Sequence, residues 1–324
     1  MPRRIIDLGD TIDEMETAYL LDLGTSDGSG TDAAGTPDSQ ASAALRVSPE
    51  PYAALSYCWG SGEQSHKTTK ANVRQRRSGF AVSLLPKSIR DAMSVCRGLD
   101  IRYIWIDALC IVQDDEPDWQ RESVRMLDVY ANSHITIAAH TAASSHDGFL
   151  GAQLYGHQPS CQSSFQIEVD ESKYLEFFLS IGTGTGKAWG PSPLMKRGWT
   201  LQEAILPRRI VHFTGKEMFW ECEEGATCEC SHISHQKVAV GNGQRWLAKQ
   251  SFCGFSAATD KQWSGLLTRE GWMEIVNMYS SRELSKWSDR FVAIAGLAQL
   301  VRRSSGVTKS NEVESPILPA YLPV

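Results

Sequence analysis

Short apolar runs alternate with amphipathic stretches along the chain. Residues 52–60, 101–106 and 134–139 carry continuous apolar, aromatic or β-branched runs. Such runs are typical of strands that are buried on both faces of a sheet. Residues 86–98 place apolar side chains at helical spacing, with a proline at the start and a glycine at the end. Strand, helix and strand in this order predict βαβ crossovers and an α/β fold whose central sheet is mainly parallel and flanked by helices.

Further elements surround this centre. Residues 117–131 form a second amphipathic stretch, which predicts a helix with Asp118 as its N-cap. Additional strands are predicted at residues 5–8, 18–23, 165–169, 174–181, 209–213 and 217–221. Two C-terminal helices are predicted at residues 263–282 and 289–301.

The elements predict one domain over residues 1–303. Residues 24–48 are rich in Gly, Ser, Thr, Ala and Asp, which is typical of a flexible loop. Residues 222–260 predict an irregular insertion that contains Cys and His, and residues 304–324 predict a tail. The sequence contains no internal repeat.

Composition and charge narrow the function classes. Of the 324 residues, 42% are hydrophobic and 22% charged, as in an ordinary globular protein. The net charge of −6 disfavours binding to nucleic acid or to an anionic membrane, since both require a basic face. The N-terminus lacks the apolar core of a signal peptide, and no apolar run has the length of a membrane span. With only eight Cys, the sequence predicts a cytoplasmic protein with reduced thiols.

Candidate chemistry lies where two predicted strands end. Asp107, Cys110 and Gln113 follow one strand, and Cys58 and Trp59 follow another. Ligands of open α/β sheets bind beyond the carboxyl ends of parallel strands, so these side chains are candidates for substrate contact. Asp107 is a candidate acid, base or nucleophile, and a thiol beside a base would be a candidate nucleophile. Packing at a strand end is the simpler interpretation of Cys58.

A second candidate is the start of the predicted helix at residues 117–131. Trp119 and Glu122 lie in its first turns. A carboxylate there is favoured by the helix dipole, so a structural role for Glu122 and a packing role for Trp119 are the simpler interpretation.

Residues 197–203 contain a cation, an aromatic ring, an amide and a carboxylate within seven positions. Arg197, Trp199, Gln202 and Glu203 either satisfy one another in a buried network or face a ligand. The two interpretations have equal weight on the sequence alone.

A Cys/His cluster is a candidate zinc site. It offers five soft ligands where zinc prefers four. Their spacing matches no standard finger, so a loop with reduced thiols is the preferred interpretation. The members are Cys222, Cys228, Cys230, His232 and His235.

Together these motifs resemble the fungal heterokaryon incompatibility (HET) domain. The resemblance is carried, in order, by the sequences YAALSYCWG, LPKSIRDA, IRYIWIDALCIVQD, RGWTLQE and FWEC within residues 52–222, and by the matching ending at residues 279–297. It extends over about residues 3–300, and the shared order of several motifs makes it specific.

The resemblance implies a role in fungal cell death after fusion of genetically unlike hyphae. HET domains are distantly similar to TIR domains, which are flavodoxin-like, associate with copies of themselves and in some cases cleave NAD⁺ with a helix-borne Glu. By that similarity Glu122 is the first candidate for the catalytic carboxylate, with Trp119 before it. NAD⁺ is the candidate substrate, no resident cofactor is implied, and a homo-oligomer is expected. This step is an analogy at the level of fold.

Two alternatives stay open. One is a non-enzymatic module that signals through self-association. The other is a stand-alone enzyme that acts on a small molecule in fungal secondary metabolism, with Asp107, Cys58 or Glu203 as acid, base or nucleophile. The short stretch after Leu300 has no room for a nucleotide-binding or repeat region, which favours weighing both.

Overall fold

The computed structural model describes a large part of the 324-residue chain. The described residues are 1–9, 17–24, 50–62, 66–151, 162–170, 173–180, 192–214, 218–222, 225–228 and 269–304. The predicted loop 24–48 lies outside the described residues except for Gly24. So do residues 229–260 of the predicted insertion and residues 305–324 of the predicted tail.

Three strands come first in the described chain, and helices and strands are interspersed from α1 to β6. The strands are β1 (Arg4–Asp7), β2 (Thr17–Asp22), β3 (Tyr52–Ser56), β4 (Phe80–Ala81), β5 (Tyr103–Trp105), β6 (Ile135–Ala139), β7 (Gln162–Asp170), β8 (Lys173–Ser180), β9 (Arg209–Phe213), β10 (Met218–Cys222) and β11 (Gly225–Cys228). The helices are α1 (Val73–Ser78), α2 (Lys87–Gly98), α3 (Asp107–Cys110), α4 (Glu116–Ala131), α5 (Pro193–Lys196), α6 (Thr200–Ile205), α7 (Arg269–Ser280) and α8 (Val292–Ser304).

The α/β fold is confirmed, but the sheet is mixed rather than mainly parallel. Nine described strands form one sheet in the order β11-β10-β9-β6-β3-β5-β1-β2-β4. Three of its eight pairings are parallel, and they join the four central strands β5, β3, β6 and β9. The other five pairings are antiparallel, and between β9, β10 and β11 short connections return the chain directly beside itself. β7 and β8 form a separate two-stranded sheet.

The hydrophobic core lies around the parallel strands. All five residues of β3 and of β6 are buried, as their continuous apolar sequences predict. Helix α2 packs on β3 and β5, while α4 packs against α6 and α8. Within the described ranges, no helix has the length and apolarity required to cross a membrane.

Local boundaries differ from the sequence predictions at several points. Helix α4, which was predicted at residues 117–131, begins at Glu116. Asp115 is therefore its N-cap, and Asp118 lies in the first turn. The predicted strand 101–106 is only three residues long, because the chain turns directly into α3. The predicted irregular insertion begins with a strand, β11, which extends the edge of the sheet beside β10.

Candidate functional site

The four parallel strands end at one edge of the sheet, and polar residues follow each of them. Ser56 ends β3, Asp107 follows β5, His140 follows β6 and Thr214 follows β9. The spatial order β5-β3-β6-β9 is second, first, third and fourth in chain order. In such sheets ligands bind beyond the carboxyl ends of the strands. This edge is therefore the candidate site.

Asp107 is the first residue of α3 and is only half-buried. The indole N–H of Trp59 lies 3.1 and 2.9 Å from its two carboxylate oxygens, and the backbone N–H of Ala108 donates to Oδ1 at 2.7 Å. Burial raises the pKa of Asp107 to about 6, although Arg197 opposes the shift. Asp107 is thus mostly ionised at neutral pH and oriented by two donors.

Glu203 supplies a second carboxyl group, from α6. Its side chain is buried, and Oε2 accepts a 2.5 Å hydrogen bond from the Ser56 hydroxyl. Burial raises the pKa of Glu203 to about 7, with Arg197 again the strongest opposing influence. A carboxyl group with this pKa exchanges a proton close to neutral pH, which is what general acid–base chemistry requires.

Arg197 links the two carboxyl groups electrostatically. It ends α5, is half-buried, and donates from Nη1 to the backbone carbonyl of Tyr57. Burial by itself would lower the pKa of Arg197, but attraction to Glu203 and then to Asp107 outweighs it, so the pKa lies above its ordinary value. Asp107, Arg197 and Glu203 therefore form one charge cluster, which we call the edge cluster.

Tyr57 and Cys58 lie beside the edge cluster. The Tyr57 hydroxyl is buried and has no hydrogen-bond partner among the described residues. Burial raises the pKa of the Cys58 thiol, and attraction to Arg197 only partly offsets this. The thiolate is disfavoured in this environment, so a nucleophilic role for Cys58 stays a prediction.

Cys110 and Gln113 brace the helical turn that presents Asp107. The Gln113 amide donates to the backbone carbonyls of Asp107 and Ile111, at 3.1 and 3.2 Å. Cys110 is fully buried, and burial raises the pKa of its thiol to about 12. Both side chains lie close to the edge, but their described contacts are with the protein itself.

Glu122 belongs to a different cluster. The charged groups that act most strongly on its pKa are Arg4 and Asp118, not members of the edge cluster. Arg4 is buried, forms an ion pair with Asp118 and donates from Nε to the carbonyl of Cys110 at 2.6 Å. Glu122 is 1% exposed, and its Oε1 has no hydrogen-bond partner among the described residues. Burial raises its pKa, with Arg4 opposing the shift. A catalytic role for Glu122 stays a prediction. Asp107 and Glu203 instead share Arg197 as their electrostatic partner.

The predicted aromatic and amide contacts lie between helices. The rings of Trp119 on α4 and Trp199 before α6 meet edge to face, with centroids 6.2 Å apart. The Trp199 indole donates to Asp289 at 3.3 Å. Gln202 is buried, and its Oε1 lies 2.8 Å from where a Cβ at Gly296 would stand. These residues tie α4, α6 and α8 together, which is the packing interpretation of the segment 197–203.

The zinc prediction falls largely outside the described residues. Cys230, His232 and His235 are among those not described. Cys222 pairs with Gly225, while Cys228 pairs with Phe219, so the two cysteines stand at opposite ends of the β10–β11 ladder. In the parts of the chain that can be described, no group of three or more His, Cys, Asp or Glu is arranged to hold a metal ion. Zinc binding by this cluster stays a prediction.

Sequence reasoning missed a second polar group at the same edge. His140 and His212 are 72 positions apart in the sequence, yet their rings bond to each other and to Ser192 and Glu221. The signal was present in the pattern, because each histidine lies at or near the end of a predicted apolar strand. Adjacent parallel strands bring such ends together.

Comparisons with known proteins found a matching family and a similar protein. Residues 52–203 match the model of the family described as "Heterokaryon incompatibility protein (HET)". The matched range contains the whole edge cluster. The chain is also similar to "Heterokaryon incompatibility protein 6, OR allele" of Neurospora crassa, with 33% identity over 95 residues. That match covers 27% of this chain and 14% of the relative. No solved structure matches. On these matches and on the motifs they contain, the segment 52–203 belongs to the heterokaryon incompatibility (HET) family.

Proposed function

We propose that this protein acts in fungal non-self recognition and that its effect on the cell is programmed cell death. The family match and the name of the similar Neurospora crassa protein support the first part. Because the chain matches only 14% of that relative's length, the activity of the whole relative carries over only as a proposal.

We further propose that the chemical step is hydrolysis of NAD⁺ at the edge cluster. The observation that carries this is the convergence of Asp107, Arg197 and Glu203 at the carboxyl ends of the parallel strands. The order β5-β3-β6-β9 also agrees with the flavodoxin-like order, in which ligands bind at this edge. The resemblance to TIR domains favours NAD⁺ over other nucleotides.

The residues of the edge suit an anionic ribose-containing substrate. Arg197 supplies one cation, and Lys67 supplies another, since its Nζ lies 4.9 Å from the centre of the Trp59 ring. Both attract Asp107, as their opposition to its raised pKa indicates. Two cations beside a carboxylate are the combination needed to hold a pyrophosphate close to ribose hydroxyls.

Asp107 would act directly on the reacting sugar. As the bond from ribose C1′ to nicotinamide breaks, its electron pair leaves with the neutral nicotinamide, and an oxocarbenium-like centre remains. An ionised Asp107 stabilises that positive charge, as carboxylates do in glycoside cleavage. Water then adds to C1′, and Glu203, with a pKa of about 7, takes up the proton that the water loses.

Nicotinamide release from NAD⁺ by concentrated, purified protein tests the proposal. Asp107→Asn removes the charge but keeps the shape, so we expect turnover to fall by about 10²-fold or more. The exposed Asp128→Asn is the matched control and is expected to leave turnover unchanged. Turnover that depends on ionised Asp107 should rise as the pH passes about 6.

Two results would refute this assignment. The first is no nicotinamide release by the folded wild-type protein at any concentration that permits self-association. The second is loss of turnover in a folded Glu122→Gln variant while Asp107→Asn stays active. That second result would place the chemistry at the Arg4–Asp118 cluster, as the TIR resemblance implies.

The internal hydrogen bonding of the edge cluster favours a second candidate function. Glu203 accepts a hydrogen bond from Ser56, and Arg197 donates one to the Tyr57 carbonyl, so each has a partner within the protein. A non-enzymatic module that signals by self-association would need no more than this. For that function, expression of Asp107→Asn in fungal cells should kill as efficiently as the wild type, whereas hydrolysis predicts that the variant is harmless.

A further inference from the structure

A chain of four hydrogen-bonded side chains crosses the edge of the sheet beside the edge cluster. The Ser192 hydroxyl lies 2.9 Å from Nδ1 of His140, and His140 Nε2 lies 2.8 Å from Nδ1 of His212. His212 Nε2 lies 3.1 Å from a carboxylate oxygen of Glu221. Four consecutive polar groups at bonding distance form a potential path for a proton, which we call the relay.

The proposed direction of each hydrogen bond is set at the Glu221 end of the relay. The proposed relay requires that His212 donates from Nε2 to the Glu221 carboxylate and accepts at Nδ1, as a neutral imidazole beside a carboxylate does. His140 must then donate from Nε2, which leaves its Nδ1 as the acceptor for the Ser192 hydroxyl. Every bond of the relay therefore points from the serine toward the carboxylate.

Burial along the relay is strongly asymmetric. His140, His212 and Glu221 are 4%, 2% and 8% exposed, whereas Ser192 is only half-buried. Burial, and then His212 and Arg282, hold the pKa of His140 well below its ordinary value, so its ring is neutral at pH 7. Of these four described side chains, the Ser192 hydroxyl end of the relay is the most exposed.

The backbone holds this hydroxyl in place. Ser192 is the N-cap of α5, and its Oγ accepts a hydrogen bond from the Met195 N–H at 3.3 Å. His140 directly follows β6, and His212 lies in β9, where Ala138 and His212 are register partners. The two histidines are thus carried by neighbouring parallel strands, which fix the distance between them.

We propose that Ser192 is a nucleophile activated by the His140–His212–Glu221 relay, and that the site acts on acyl esters or thioesters. A serine beside a buried imidazole that is oriented by a carboxylate is the arrangement used in acyl transfer. Here a second imidazole stands between the base and the carboxylate. The proposal is independent of NAD⁺ hydrolysis at the edge cluster, because it uses none of the same side chains.

The proposed reaction has two stages, which are acylation of Ser192 and hydrolysis of the acyl-serine. Ser192 Oγ forms a bond to the acyl carbon while its proton passes to His140 Nδ1. His140 Nε2 stays bonded to His212 Nδ1, and the Glu221 carboxylate stabilises, through His212, the positive charge that forms on His140. The bond from the acyl carbon to the alcohol or thiol breaks, and the leaving group regains a proton through the relay. Water then hydrolyses the acyl-serine, which releases the acid and restores the hydroxyl.

Covalent labelling of the full-length protein with a fluorophosphonate tests the proposal. The probe forms a bond to an activated serine Oγ and releases fluoride, and peptide mass spectrometry identifies the residue. We expect labelling of Ser192 in the wild type and none at that peptide in Ser192→Ala. Ser94, an exposed helical serine bonded only to a backbone carbonyl, gives the matched control, and Ser94→Ala should label at the wild-type rate.

The carboxylate end separates activation from a purely structural role. Glu221→Gln keeps the side-chain shape but removes the charge that stabilises protonated His140, so the labelling rate should fall at least about 10-fold. Glu221→Asp retains the charge and should recover part of that rate. Absence of modification at Ser192 in the folded wild type would overturn the proposal, and so would a labelling rate that is equal in wild type and folded Glu221→Gln.

Discussion

Glu203 gives the sharpest test of the electrostatics at the edge cluster. The folded protein holds its pKa at about 7, against an ordinary value of 4.5, because burial penalises the charged form more than Arg197 favours it. Between these two values the folded state binds a proton that the unfolded chain has already released. The free energy of unfolding therefore falls as pH rises from about 4.5 to about 7.

The size of this effect follows from the two pKa values. At about 1.4 kcal/mol for each pH unit, the interval from 4.5 to about 7 corresponds to about 3 kcal/mol of stability lost on ionisation. Glu203→Gln resembles the protonated side chain and cannot ionise. We expect the variant to lose this pH dependence, so its stability relative to the wild type should rise by about 3 kcal/mol between pH 4.5 and pH 8.

Urea unfolding followed by tryptophan fluorescence at several pH values measures this difference. The comparison relies on the change with pH, because the new amide adds a constant offset if its N–H groups lack partners. Asp128→Asn, at an exposed site, should give a curve parallel to that of the wild type. Parallel curves for Glu203→Gln and the wild type would refute the reasoning, since they would mean that Glu203 ionises equally well in the folded and unfolded states.

Two further variants test the packing around the site. Asp118→Ala should lower the free energy of unfolding by about 3–5 kcal/mol in urea titration, because it removes the carboxylate that pairs with the buried Arg4 and accepts from the Val112 N–H. An unchanged unfolding midpoint would contradict the buried ion pair. Gly60→Ala should cost at least about 1 kcal/mol, because Gly60 has φ +86° and a Cβ there would stand 2.4 Å from that of Ser144. A thermal midpoint equal to that of the wild type would show that the loops after β3 and β6 do not pack this closely.

The central strand and helix could be predicted from the residues of each element alone. The strand at residues 134–139 is observed as Ile135–Ala139, and the helix at residues 117–131 as Glu116–Ala131. Continuous β-branched runs and helical spacing are local signals, which is why both predictions are confirmed. The mainly parallel sheet was wrong, because strand direction at the sheet edges depends on connections that hydrophobic pattern does not encode.

The candidate carboxylates belong to two separate clusters, which their spacing along the chain does not indicate. Asp107 and Glu203 are 96 positions apart in the sequence and share Arg197 as an electrostatic partner, while Glu122, only 15 positions after Asp107, faces Arg4 instead. Asp107 begins α3, whereas Glu122 lies in the next helix, α4, where Arg4 and Asp118 are the strongest charged influences on it. Distance along the chain was therefore a poor guide to which carboxylates act together.

Sequence alone determined the α/β class, the central strands and the segments that carry chemistry, because burial and helical periodicity are written in neighbouring residues. Tertiary structure decided which polar groups meet. The parallel alignment of β3, β5, β6 and β9 brings their carboxyl ends to one edge, and only there do the edge cluster and the relay from Ser192 to Glu221 exist. The physical reason is that pKa values and hydrogen bonds depend on burial and on partners distant in sequence, which only the folded chain supplies.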